Sequence, residues 1–164
     1  MPVRILGLDP GLRHTGFGII EKDGARLRFI AAGVINPDTT LSLAERLAEL
    51  HKGVVKIIQD YEPDEAAVEE TFVNKNPTST LKLGQARGAI LLAPALYGIS
   101  VSEYTPNQIK KMVVGAGHAE KKQVDLMVRT LLKTPPEHMP PDASDALAIA
   151  ICHSFMRPIH SASL

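Results

Sequence analysis

Four carboxylates stand where buried segments begin or end. Asp9 closes the apolar run Val3-Arg4-Ile5-Leu6-Gly7-Leu8, and Glu69, with Glu70 beside it, closes Ala66-Ala67-Val68. Asp142 and Asp145 open the segment Ala146-Leu147-Ala148-Ile149-Ala150-Ile151. Two carboxylates about 4 Å apart repel by roughly 4 kcal/mol at an effective dielectric near 20, so gathering several requires a cation among them. A set made only of carboxylate oxygens suits Mg²⁺ or Mn²⁺. The chemistry such a centre performs is metal-assisted reaction at phosphate.

Each acid also has an ordinary explanation. Asp9-Pro10-Gly11 is good turn sequence, because Pro10 drives Asp9 toward extended geometry and Gly11 permits a sharp reversal. A turn does not need its Asp at the end of a core strand, which favours a functional role. Asp142 and Asp145, three apart, share one side of a first helical turn. As N-cap and N3 residues they would equally form a capping box. The two roles are compatible, because the positive end of a helix keeps both acids ionised and able to ligate. Glu69 and Glu70 point to opposite faces if the strand persists, so only one joins the cluster, and alternation leaves open which.

Phe72 follows the acidic pair in Thr71-Phe72-Val73-Asn74-Lys75-Asn76. An aromatic in a polar loop beside a lysine suits stacking on a nucleic-acid base, and equally suits folding back on the core. Net charge is zero, from 18 basic and 18 acidic residues, so a basic face has to come from uneven distribution. Residues 74–122 supply one: Lys75, Lys82, Arg87, Lys110, Lys111, Lys121 and Lys122 against Glu103 and Glu120. Such lysines contact phosphates or simply face solvent. Gly84 and Gly88 interrupt a helical stretch, where each costs up to about 1 kcal/mol relative to Ala. Their spacing allows close approach of another helix, as in a dimer seam, or tight packing on a sheet.

The elements that must position these groups are legible from periodicity. Strands are expected over 3–9, 15–21 and 26–35, with a hairpin turn at Lys22-Asp23-Gly24. Residues 41–61 place Leu43, Leu47, Leu50, Val54, Ile57, Ile58 and Tyr61 on one helical face. A buried strand over 65–69 follows Pro63. Asn76-Pro77 opens a helix reaching about residue 97, with a bend expected at Pro94. A strand at 99–104 leads into a helix capped by Thr105-Pro106 and broken at Gly115-Ala116-Gly117. Further helices are expected over 119–133 and 142–156, separated by a proline-rich loop at 134–141. Three antiparallel strands followed by alternating helix and strand give an α/β fold, a five-stranded mixed sheet with helices on both faces.

Length and an apolar content of 45% suit one domain, here 1–157, with a loose Ser/His tail at 158–164. No signal pattern opens the chain and no apolar run approaches the roughly 18 residues of a membrane helix, so a soluble cytoplasmic protein is expected. Cys152 lies in an apolar segment and reads as a buried structural thiol. The histidines show no i,i+4 pairing, and without a cysteine cluster a zinc site is not expected.

The chain resembles the bacterial RuvC Holliday junction resolvases of the ribonuclease H-like superfamily. The resemblance rests on Leu6-Gly7-Leu8-Asp9-Pro10-Gly11, Val68-Glu69-Glu70-Thr71-Phe72, Leu81-Lys82-Leu83-Gly84-Gln85-Ala86-Arg87-Gly88, Val113-Val114-Gly115-Ala116-Gly117, Ala119-Glu120-Lys121 and Asp142-Ala143-Ser144-Asp145-Ala146-Leu147. They run in the family's order over nearly the whole chain. It implies that Asp9, Glu69, Asp142 and Asp145 ligate a pair of Mg²⁺ ions bridged by Asp9, with Mn²⁺ able to substitute, and it selects Glu69 over Glu70. It implies that Lys110 and Lys121 support DNA binding and catalysis and that Phe72 opens base pairs at a junction centre; Lys75, Lys82 and Arg87 of the basic stretch are expected to join them on DNA. It further implies a homodimer acting on four-way junction DNA with a RuvA–RuvB branch-migration partner. His118 departs from the family pattern, and His14 has no family role and is expected at the surface. An actin-like ATP-binding protein shares the Asp-x-Gly strand end but needs a second lobe that 164 residues do not supply. A junction-binding module without nuclease activity and a ribonuclease H acting on hybrids are the remaining alternatives.

Overall fold

The computed structural model describes residues 1–70, 75–133 and 138–158. Strands β1 (Val3–Asp9), β2 (Thr15–Asp23) and β3 (Arg26–Ile35) come first, then α1 (Leu43–Tyr61) and β4 (Glu65–Glu69). They are followed by α2 (Pro77–Leu96), β5 (Ser100–Tyr104), α3 (Pro106–Val114), α4 (Lys121–Leu132) and α5 (Pro141–Met156). The sheet order is β3-β2-β1-β4-β5. β2 runs antiparallel to β1 and β3, whereas β4 is parallel to β1 and β5. The expected five-stranded mixed sheet is the observed one.

Strand alternation divides the core. Leu6, Leu8, Ile19, Ala66 and Val68 meet Leu50, Val54, Ile57 and Ile58 of α1 and Ala86, Ile90 and Ala93 of α2. Ile5, Ile20 and Ala67 face the other way, onto α3, α4 and α5. Because successive side chains alternate faces, Asp9 lies with Ile5 on the α5 side, and Glu69 lies there with Ala67. Glu70, past the end of β4, only extends the sheet pairing through its backbone N–H, 2.8 Å from Tyr104 O. α5 is buried from Ala146 through Ser154, which explains why its sequence is apolar all round.

Two close approaches seat α5. A Cβ at Gly7 would lie 2.0 Å from Ala146 O, and one at Gly16 would lie 2.0 Å from Asp142 O. Only glycine lets the first turns of α5 rest on β1 and β2 at this depth.

Several boundaries differ from expectation. β2 extends to Asp23, and Gly24, at φ +60°, turns the hairpin. α2 continues through a buried Pro94 to Leu96. The capping-box expectation for Asp142 and Asp145 is incorrect: α5 starts at Pro141, with Pro140 at the N-cap and no side-chain cap bond. A proline at the first helical position loses no hydrogen bond, because that N–H has no partner within the helix anyway. The prolines thus begin the helix one residue early. Asp142 and Asp145 become its second and fifth residues and point into the site instead of back at the backbone. Phe72, residues 134–137 of the expected loop at 134–141, and the tail beyond Pro158 lie outside the described residues. Cys152 is fully buried as expected, and burial pushes its thiol up to about 12.

Candidate active site

The site forms at the C-terminal ends of β1 and β4, where the N-terminus of α5 crosses them. Asp9, Asp142 and Asp145 each present an oxygen within 4.8 Å of the others. Glu69 is not in this triad but borders it: it lines a cavity of about 210 Å³ with Asp145, Lys110 and Lys121. Burial and the charges of Asp145, Asp142 and Glu69 raise Asp9 to about 7, with Lys121 opposing. Burial, then Asp145, raises Glu69 against the pull of Lys110 and Arg87. Asp145 is raised by burial despite Lys121, whose Nζ stands 3.5 Å from Asp145 Oδ2. These shifts share one leading cause, burial at the edge of the core, to which repulsion among the crowded carboxylates adds. The donor set is hard oxygen only, which fits Mg²⁺ or Mn²⁺ and not zinc.

Lys121 is the first residue of α4, and its position follows from that helix's start; Glu120 N–H donates to Gln123 Oε1 at 2.8 Å. Ser144, between the two acids of α5, donates to Asp125 Oδ1 at 2.6 Å and ties α5 to α4. Lys110 comes from α3 on the same side. Lys82 instead lines a larger cavity of about 570 Å³ that shares Asp9 and Asp142. Lys75 is exposed and lines neither. Arg87 is engaged within the fold: its Nη1 donates to Glu69 O at 2.6 Å, and its guanidinium pairs with Glu103. It therefore fixes the end of β4 that carries Glu69.

Arg13 and Arg46 also line the larger cavity, as does His14. Sequence reading passed over both arginines. The available signal was slight: Arg13 falls four residues after Asp9, and Arg46 lies in the first turns of a helix far along the chain. Only the packing of the β1–β2 loop on α1 brings them together.

The model of the family described as crossover junction endodeoxyribonuclease RuvC matches residues 5–153. A protein of that name from Rhodospirillum rubrum is 61% identical over 155 residues, covering 94% of this chain and 91% of that protein. One from Rhodopseudomonas palustris is 59% identical over 158 residues, covering 95% and 89%. Among solved structures, Thermus thermophilus RuvC in complex with Holliday junction substrate superposes with a TM-score of 0.87 at 35% identity, covering 93% of each chain. The yeast mitochondrial Holliday junction resolvase Ydc2, at 13% identity and a TM-score of 0.68, shares the fold. By both its sequence and its ribonuclease H-like architecture, this chain belongs to the RuvC family of crossover junction endodeoxyribonucleases.

Proposed function

We propose that this chain resolves four-way DNA junctions by symmetric, metal-dependent hydrolysis of one phosphodiester in each of two strands. The observation that carries the reading is the convergence of Asp9, Asp142 and Asp145 within 4.8 Å, with Glu69 at the border, in a chain of this family. The four acids would hold a pair of Mg²⁺ ions, and Asp9 is the most strongly perturbed of these acids. Metal held there would supply acidification of the attacking water and neutralisation of charge on the phosphoryl and leaving oxygens. Water adds to phosphorus and the P–O3′ bond breaks. The 3′ oxygen gains a proton, which leaves 3′-hydroxyl and 5′-phosphate ends. Lys121, at the cluster's edge, offsets negative charge as it develops on the phosphate. Phe72 acts on base pairs at the junction centre, and Lys75, Lys82, Arg87 and Lys110 support the DNA around it, Arg87 by anchoring Glu69.

Two symmetric cuts need two sites, so the working unit is a homodimer of single nuclease domains spanning 1–157. Support comes from α2, which exposes Leu81, Leu92 and Leu96 on the side where Gly84 and Gly88 face open space. That combination suits a second helix better than water. The resemblance extends the reading to a RuvA–RuvB partner and a cytoplasmic setting; no helix among the described residues is long and apolar enough to cross a membrane.

The test is an end-labelled four-way junction and a matching linear duplex, incubated with protein and Mg²⁺, alongside Asp9→Asn and EDTA controls. Paired symmetric nicks on the junction alone, absent from both controls, are expected. Junction binding without cleavage in Mg²⁺ and Mn²⁺ would replace the nuclease by an inactive binding module.

A further inference from the structure

The acid cluster has a cationic wall on each side. Lys110 and Lys121 stand beside Glu69 and Asp145 in the smaller cavity, and Arg13, Arg46 and Lys82 stand beside Asp9 and Asp142 in the larger one. In the second wall, Arg13 and Arg46 have no role assigned so far. Among the described residues, none of its three cations forms an ion pair with a carboxylate. Asp9 and Asp142 line the same cavity without pairing to any of the three, so the cationic groups can still take an anion that enters it.

The wall is also built rather than loose. Thr15 Oγ1 donates to Gly11 O at 2.7 Å and accepts from Gly11 N–H at 3.2 Å, which closes the loop carrying Arg13. His14 Nδ1 meets Asn36 Oδ1 at 2.5 Å and pins the same loop to the end of β3. Arg46 reaches the loop from α1, with Nη2 3.5 Å from Leu12 O. Its Nε is buried and has no hydrogen-bond partner. A buried donor left unpaired costs about 1–3 kcal/mol, so the fold leaves hydrogen-bonding capacity of this guanidinium unused. Arg13, His14 and Arg46 border a further cavity of about 480 Å³ with Thr39, and Arg13 and His14 are exposed.

We infer that Arg13 and Arg46, with Lys82 beside them, form a second phosphate seat that grips the cleaved strand next to the bond being cut. The inference rests on the nuclease reading above. A guanidinium fork matches two phosphate oxygens, and a pair of them fixes position as well as charge. The strand then crosses the acids between two cationic supports. The backbone phosphate beside the scissile one occupies the Arg13–Arg46 wall and sets the register in which the scissile phosphate meets the acids. The ligand class is a phosphodiester of the substrate backbone, read without regard to base.

The experiment replaces single phosphates by neutral methylphosphonates within two nucleotides of the cleaved bond of a four-way junction. Junction binding is measured with Ca²⁺ in place of Mg²⁺, for the wild type and for the Arg13→Gln/Arg46→Gln double variant. Loss of a charge-assisted phosphate contact is expected to weaken wild-type binding about tenfold at one flanking position. The same methylphosphonate is expected to weaken the double variant less than about twofold, and the variant's salt dependence falls by about one phosphate contact or more. Should the double variant lose its fold, Arg13→Gln alone, on an exposed loop, carries the comparison, with the same direction of non-additivity. Equal penalties for wild type and variant at every position would overturn the second seat while leaving the nuclease reading intact. A wild type that neither binds nor cuts the unmodified junction would overturn both.

Discussion

At the scale of single residues, Asp9 sets the behaviour of the site. Its folded pKa of about 7 lies above the ordinary value of 3.8. The folded state therefore holds that proton more tightly than the unfolded chain. The resulting stabilisation is complete below 3.8 and is lost as pH rises through about 7. Above that range the metal-free protein bears the full repulsion of the cluster. Replacing Asp9 by Asn removes one charge at little change in shape. In EDTA, one unit above the Asp9 value, Asp9→Asn is expected to raise Tm by about 2–4 °C, equivalent to roughly 1 kcal/mol for a chain of this size. The same change should lower nicking by on the order of 10³-fold. A thermal scan showing a lower Tm would mean that the acids are not in electrostatic conflict. The acids were legible in the sequence because each is a charged residue at the end of an apolar run. Arg13 and Arg46 were not, because their meeting depends on how a loop packs on a helix, and no local pattern encodes that.

At the scale of elements, the site depends on how deeply α5 settles on the sheet. Gly7 and Gly16 admit its backbone to distances that no side chain permits, and Asp142 is the residue whose carbonyl overlies Gly16. Gly16→Ala forces the first turn of α5 outward and carries Asp142 away from Asp9. Overpacking of this kind costs about 1–3 kcal/mol. A displacement near 1 Å at a catalytic centre costs about 10²-fold in rate. The expected outcome is a folded protein, less stable in urea, whose nicking falls far more than its junction binding. Equal losses in binding and nicking would place the glycine's role elsewhere. The two periodicities revealed the strands and helices, because one face of each is buried and its apolar spacing is regular. The start of α5 was misplaced because Asp142 and Asp145 satisfy the pattern of a cap as well as that of a ligand. Only the backbone from Pro140 distinguishes the two.

At the scale of the whole molecule, a largely buried polar relay runs from Tyr104, which pairs with Glu69, back to Glu65 at the far end of β4. Tyr104 O–H lies 2.6 Å from His153 Nδ1, His153 Nε2 lies 3.1 Å from Glu65 Oε1, and Arg157 Nη2 lies 2.7 Å from Glu65 Oε2. Burial lowers His153, so its ring is neutral: Nε2–H donates to the carboxylate and Nδ1 accepts from tyrosine. Burial alone would raise Glu65, but Arg157 and His153 outweigh it and hold the carboxyl low. Both groups then bind protons more readily in the unfolded chain, so stability falls as pH drops, first below 6.5 through His153 and then below 4.5 through Glu65. Urea unfolding across that range should show wild type and Glu65→Gln converging as pH falls. A constant gap between them would exclude Glu65 from the acid response.

The chain's neutral total charge conceals a division of labour, with acids at one end of the sheet, cations on either side of them, and an apolar stripe along α2. The stripe bears on whether two such sites act together. Leu92, half exposed toward the C-terminal end of α2, faces the same way as Gly84 and Gly88. In a two-fold interface the change is made on both copies, so Leu92→Glu buries an unpaired charge twice in one seam. Sedimentation should report a dimer for the wild type and a monomer for Leu92→Glu, with association weakened by about 30-fold or more, the loss expected of a central contact. Because Leu92 lies on the helix opposite α5, the acids stay in place and each monomer keeps its chemistry. The variant should therefore nick single strands of a junction without pairing the cuts, while the wild type cuts both strands in one binding event. A wild type that sediments as a monomer yet pairs its nicks would remove the α2 seam, and with it the reason for an apolar stripe beside two helical glycines.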